Sequence, residues 1–65
     1  MKTIRLLIVD SQEVVRVGLR AVLEEVSGFE VAGDVATGAE ALECVALQQP
    51  DVVLLALSLP DTDGV

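Results

Sequence analysis

Two short aliphatic runs end where a polar side chain could do chemistry. Ile4-Arg5-Leu6-Leu7-Ile8-Val9 is followed by Asp10, and Val52-Val53-Leu54-Leu55 is followed by Ala56, Leu57 and Ser58. Continuous apolar runs bounded by turn signals read as strands buried on both faces, as in a parallel sheet. The loops at the carboxyl ends of such strands form the binding crevice of an open α/β sheet. Adjacent parallel strands would bring Asp10 and position 56 together at that crevice. Carboxylates there can hold Mg2+ through oxygen ligands and can accept a phosphoryl group. In this chain the second position is an alanine.

Residue types exclude most other chemistries. With no histidine and a single cysteine, neither a zinc site nor a nucleophilic triad can be assembled. The turn Asp10-Ser11-Gln12-Glu13 has no glycine before Gly18, so backbone cannot approach a pyrophosphate as dinucleotide and P-loop sites require. A phosphohydrolase with Asp10 as nucleophile needs a second acid two residues on, where Gln12 stands. Asp61 and Asp63, in Pro60-Asp61-Thr62-Asp63-Gly64, read as turn chemistry in preference to replacement ligands. Cys44 reads as a tolerated surface or partly buried residue. A single cysteine cannot form an intrachain disulfide and fits a reducing, cytoplasmic setting. Without a leader, spanning segment or lipidation signal, no membrane association is expected.

Two helices must carry the strands' ends into place. The spacing predicts a helix from about Gln12 to Val26, with Ser11 as N-cap and Glu13 in the first turn, where its charge suits the positive end of the dipole. Val14, Val15, Gly18, Leu19, Val22, Leu23 and Val26 form its apolar stripe, and Arg16, Arg20 and Glu24 fall opposite. Gly18 reads as a point of close packing on a sheet, and Gly28 as a left-handed stop after the helix. Phe29 to Val35, broken by Glu30 and Asp34, reads as an edge strand with one wet side. Thr37-Gly38-Ala39-Glu40 is a capping box for a second helix running to about Gln48. That helix should turn Ala41, Leu42, Val45 and Ala46 inward and Glu40, Glu43, Cys44 and Gln48 outward. Pro50 then opens the third strand.

The order is therefore β-α-β-α-β with short connections, half of a doubly wound sheet. The 65 residues make at most one domain, and a chain of this size buries only about 60% of the surface its unfolded form exposes. The formal charge is −7 and uneven: the first twenty residues carry four bases against two acids, and the rest carry nine acids and no base. An acidic segment without a basic stripe is not expected to bind nucleic acid or an anionic membrane directly.

These pieces, in this order, resemble the receiver domain of bacterial two-component response regulators, particularly the LuxR-type subfamily. The resemblance lies in Ile4 to Asp10, in Glu13-Val14-Val15-Arg16 with Gly18-Leu19, and in Gly38-Ala39-Glu40-Ala41-Leu42. Above all it lies in Pro50 to Leu55, continuing through Pro60 and Asp63-Gly64. It implies a flavodoxin-like α/β fold, a doubly wound parallel sheet of strand order 2-1-3-4-5. Residues 1–65 would then be a partial receiver domain of order 2-1-3, its C-terminal half and any DNA-binding helix-turn-helix domain lying outside. It also implies a non-enzymatic regulatory role, with a histidine kinase as phosphoryl donor. Mg2+ would be held by the acceptor aspartate, an acidic pair after the first strand, and a backbone carbonyl just past the acceptor.

Carried over position by position, the chemistry is depleted. Asp10 matches the first acid of the pair and Ser11 stands at the lost ligand position. Ala56 stands at the phosphoacceptor position, and Ser58 would supply the carbonyl. An alanine methyl neither attacks phosphorus nor binds a cation, and one carboxylate with one carbonyl is a thin Mg2+ site. The expectation is an atypical receiver that cannot be phosphorylated, binds Mg2+ weakly or not at all, and has no acceptor to offer a kinase. The alternative is an engineered or truncated structural fragment. If the 65 residues stand alone, their aliphatic third strand should be covered by a homodimer or higher assembly.

Overall fold

The computed structural model describes residues 2–56. The elements are β1 (Ile4–Val9), α1 (Glu13–Glu24), β2 (Phe29–Val35), α2 (Gly38–Gln48) and β3 (Val52–Leu55). The three strands form one parallel sheet in the order β2-β1-β3. The chain steps from β1 to one neighbour and then crosses back to the other. Right-handed crossovers in opposite directions place their helices on opposite faces of the sheet. Side chains bear this out on β2, where consecutive residues point to opposite faces. A Cβ built on Gly33 would lie 3.3 Å from Cys44 Sγ on α2. The next residue, Asp34, receives Arg16 and Arg20 from α1.

The core sits on the central strand. Leu6, Leu7, Ile8, Val9 and Val31 are the buried apolar residues, and Leu7 and Ile8 have no exposed surface. The expectation of a first strand covered on both faces is met because β1 alone has a strand on each side and a helix on each face. The third strand, read from its sequence in the same way, differs. All four residues of β3 are exposed, since among the described residues its outer edge is unpaired and α1 and α2 pack over β1 and β2.

The helices follow their sequence signals with specific departures. In α1, Val15, Leu19 and Leu23 are half-buried, but Val14 is 74% and Val22 66% exposed. The expected broad stripe is thus narrowed to one ridge. Gly18 is exposed, and a Cβ added there would meet nothing within 4 Å, so it does not mark close packing on the sheet. The helix ends at Glu24, two residues short of Val26, in a tightened turn closed by Glu25 N–H on Val22 O. Gly28 follows at φ 94°, which an L side chain rarely adopts, and its carbonyl accepts from Ile4 N–H at 2.8 Å.

The capping box of α2 forms with a shift of one residue. Thr37 Oγ1 accepts from Glu40 N–H at 3.1 Å, while Glu40 Oε1 reaches back to Ala36 N–H at 2.9 Å, not to the cap residue itself. The helix phase also differs from expectation. Cys44 and Ala41 are half-buried on the sheet side, whereas Leu42 is 74% exposed and Val45 and Ala46 are also exposed. The physical reason is the notch at Gly33, which lets the small Cys44 side chain sit close to the sheet.

Candidate functional site

The site lies where β1 and β3 end side by side. Val9 pairs with Leu55 on the last rung of their ladder, so Asp10 and Ala56 occupy the next one. Ala56 N–H donates to Val9 O at 3.0 Å, and Asp10 N–H donates to Val35 O at 3.1 Å on the other side. Crossovers leave β1 in opposite directions here, which makes this the switch-point crevice of an open α/β sheet. The two positions singled out in the sequence are therefore brought together.

Asp10 is the one buried charged residue among those described, with 4% exposure. A buried carboxylate must be compensated by hydrogen bonds or charge. Its Oδ1 accepts from Gln12 N–H at 2.7 Å, the link two residues on that defines an Asx turn. That link changes the reading of the α1 start. The N-cap residue is Gln12, with no side-chain cap, and Ser11 is exposed in the preceding bend. The expected Ser11 cap is therefore absent: Asp10 closes the turn onto the amide of the N-cap residue itself, and no side chain caps the first-turn amides of α1. Ser58, like Asp61 and Asp63, lies outside the described residues.

Ala56 is half-buried and presents only a methyl group at the crevice. Among the described residues, no three His, Cys, Asp or Glu side chains converge as metal ligands. Of the described residues, Asp10 is the one carboxylate at the carboxyl ends of β1 and β3.

Sequence reasoning missed the charged cluster beside the crevice. Arg16 donates from Nε to Asp34 Oδ1 at 3.1 Å and from a terminal nitrogen to the backbone carbonyl of Asp10 at 2.8 Å. Arg20 binds the other oxygen of Asp34 and pairs with Glu24 at 3.0 Å. Its guanidinium is held above its ordinary pKa, first by the hydrogen bond to Glu24. Partial burial opposes this, and the hydrogen bond and charge of Asp34 add to it. The signal was present as arginines four apart on α1, but their expected solvent-facing role hid the partner on β2.

At the far end of the sheet, Arg5 makes a second cluster. Its guanidinium donates to the carbonyl of Gln48 and, at 3.1 Å, to Gln48 Oε1, while its backbone N–H donates to Asp51 Oδ2 at 2.9 Å. Helix α2 has no basic residue in its last turn. Arg5 therefore brings from β1 the positive charge that satisfies a last-turn carbonyl and opposes the helix dipole.

Comparison with known proteins agrees with this geometry. The family model for the response regulator receiver domain matches residues 6–65. The uncharacterized transcriptional regulatory protein YhcZ of Bacillus subtilis is 43% identical over 61 residues, covering 94% of this chain and 28% of that protein. Response regulator UvrY of Escherichia coli K12 is 38% identical over 61 residues, again 94% of this chain and 28% of the relative. Protein-glutamate methylesterase/protein-glutamine glutaminase 3 of Hahella chejuensis is 43% identical over 58 residues, which make up 16% of that protein. The chain thus spans less than a third of the length of each of these relatives. Among the described residues no helix is long and apolar enough to cross a membrane.

Proposed function

The chain belongs to the response regulator receiver domain family, and on that premise we propose that it is a regulatory module whose switch does not run through aspartyl phosphate. The observation that carries this is Ala56 on the rung beside Asp10, tied into the β1 ladder by its own amide. A phosphoryl acceptor at that place needs a carboxylate oxygen, and a methyl group has no lone pair to offer.

Mg2+ fits the site poorly. Mg2+ demands near-octahedral oxygen ligation and dehydrates reluctantly, and among the described residues the strand ends supply one carboxylate, hydrogen-bonded to Gln12. Removing two acids from the crevice also removes the repulsion that a metal would otherwise relieve. The module is accordingly non-enzymatic and metal-independent, and a histidine kinase would find no acceptor on it. The cytoplasm fits its free cysteine. Its chemistry disfavours direct nucleic-acid binding: the net charge is −7, and among the described residues Arg5, Arg16 and Arg20 are engaged with carboxylates or carbonyls.

The test is incubation with a small-molecule phosphodonor and Mg2+, followed by intact mass, with beryllofluoride as a parallel probe. No adduct and no Mg2+-dependent spectral change are expected. Ala56→Asp alone should also fail to switch, because Ser11 remains at the second acidic position. Stable phosphate uptake by the unmodified chain would overturn the proposal.

A second reading, that of a structural or assembly module, is favoured by the exposure of β3. An uncharged aliphatic edge strand is a template for pairing with another chain. A homodimer or higher assembly formed through that edge would cover it. Light scattering that shows a compact, stable monomer at micromolar concentration would refute this.

A further inference from the structure

Helix α1 contributes no fully buried residue and has no side-chain cap of its own. Its apolar hold on the sheet rests on the half-buried Val15, Leu19 and Leu23. Its charged attachment centres on one carboxylate on the outer strand. Asp34 gives Oδ1 to Arg16 and Oδ2 to Arg20, so both oxygens are used by arginines one helical turn apart. The Arg16 and Asp34 side chains are only 16% and 25% exposed, so solvent and salt screen this pair less than a surface one. Without Asp34, two like charges four residues apart would face each other, partly desolvated.

Arg16 does more than hold the helix down. Its guanidinium bridges Asp34 on β2 to the backbone carbonyl of Asp10 in the crevice. Three elements thus meet on one planar group with a fixed fork of donors. We propose that Asp34 and Arg16 form a latch that sets the position of the Asp10 turn, so that a change at the free edge of β2 is transmitted to the crevice through α1. In this scheme Arg16 is a positioning residue and Asp34 the point at which the latch opens. The device requires no phosphoryl group, and it stands or falls independently of the phosphorylation test above.

The experiment is amide-resolved NMR and hydrogen exchange on the 65-residue chain and two variants. Asp34→Asn keeps the shape and removes the charge. It is expected to lower protection across α1 and at Gln12 by about tenfold or more, as local opening of one unit does, while α2 amides keep their rates. Arg16→Lys keeps the charge but loses the fork, since one ammonium cannot reproduce both planar contacts. There, α1 should stay largely protected while the Asp10 and Gln12 amide resonances move. Parallel loss in α1 and α2 for Asp34→Asn would reduce the cluster to general stability and overturn the proposal. Unmoved Asp10 and Gln12 resonances in Arg16→Lys would overturn the transmission. If Asp34→Asn does not fold, the Arg16→Lys spectrum alone decides the matter.

Discussion

Strands β1 and β3 are ladder neighbours of nearly the same composition, and they end in opposite conditions. Leu7 and Ile8 have no exposed surface, whereas β3 ranges from 36% exposed at Leu54 to 60% at Leu55. The difference comes from neighbours, not from side chains. β1 has a strand on each side, α1 over one face and α2 over the other. β3 has one strand beside it, an unpaired edge, and no helix packed on it among the described residues. Hydropathy records what a strand needs, and topology decides what it receives. The same contrast holds at the strand ends, where Asp10 is buried and hydrogen-bonded and Ala56 carries nothing for chemistry.

The largest expected effect separates the two strands directly. Ile8→Ala should cost about 2–5 kcal/mol, the range for emptying a well-packed aliphatic site. For a small domain of marginal stability that is enough to unfold much of the population. Leu54→Ala, at a position already exposed in the single chain, should cost less than about 1 kcal/mol in dilute solution. Urea midpoints measure both, and equal losses would break the comparison. The same measurement sharpens the assembly reading. If a second copy covers β3, the cost of Leu54→Ala should grow with protein concentration, as mass action requires.

How much of this was legible in the sequence depended on range. Local signals read well: Thr37 and Glu40 mark the α2 start, Gly28 the turn after α1, and the aliphatic runs the first and third strands. The pairing of Asp10 with position 56 followed from parallel topology, since only adjacent strands can bring those ends together. What failed was side-chain direction set by distant partners. Asp34 read as a wet-side residue of an edge strand, yet its partners lie 14 and 18 residues earlier on α1. Leu42 and Cys44 exchanged places because a glycine on β2, 11 residues before Cys44, makes room for sulfur. Ser11 was expected as the cap, but the helix starts one residue later, at the N-cap Gln12, because Asp10 holds the Gln12 amide in an Asx turn.

If β3 is poorly covered, its attachment depends on the ladder to β1 and on the anchor at its start. Asp51 and Arg5 exchange backbone and side-chain hydrogen bonds there, and the Arg5 guanidinium closes the last turn of α2. Arg5→Met keeps much of the stem and removes the donors. It should cost about 1 kcal/mol, the net worth of a hydrogen bond with a charged donor near a helix C-terminus. Exchange should rise first at the end of α2 and along β3. Glu30→Gln tests the other arm of Arg5, an exposed pair 3.8 Å apart, and should change stability by only a few tenths of a kcal/mol. A larger loss from Glu30→Gln than from Arg5→Met would place the anchor on β2 instead of β3.

A small effect of opposite sign concerns the residue that turns α2 toward β3. Gln49 caps the helix in the left-handed region, at φ 49° and ψ 60°, with its amide on Val45 O. An L side chain pays roughly 1–2 kcal/mol for that conformation, which glycine avoids. Glycine also loses more backbone freedom on folding, offsetting about 0.5–1 kcal/mol of the gain. Gln49→Gly should therefore raise stability by roughly 0.5 kcal/mol, seen as a small upward shift in the urea midpoint with an unchanged slope. The sign carries the information. A gain would mean that the strand's approach is strained by the cap alone. A loss would mean that the Gln49 side chain contributes to holding β3 in the ladder, which would narrow the contrast between the two strands.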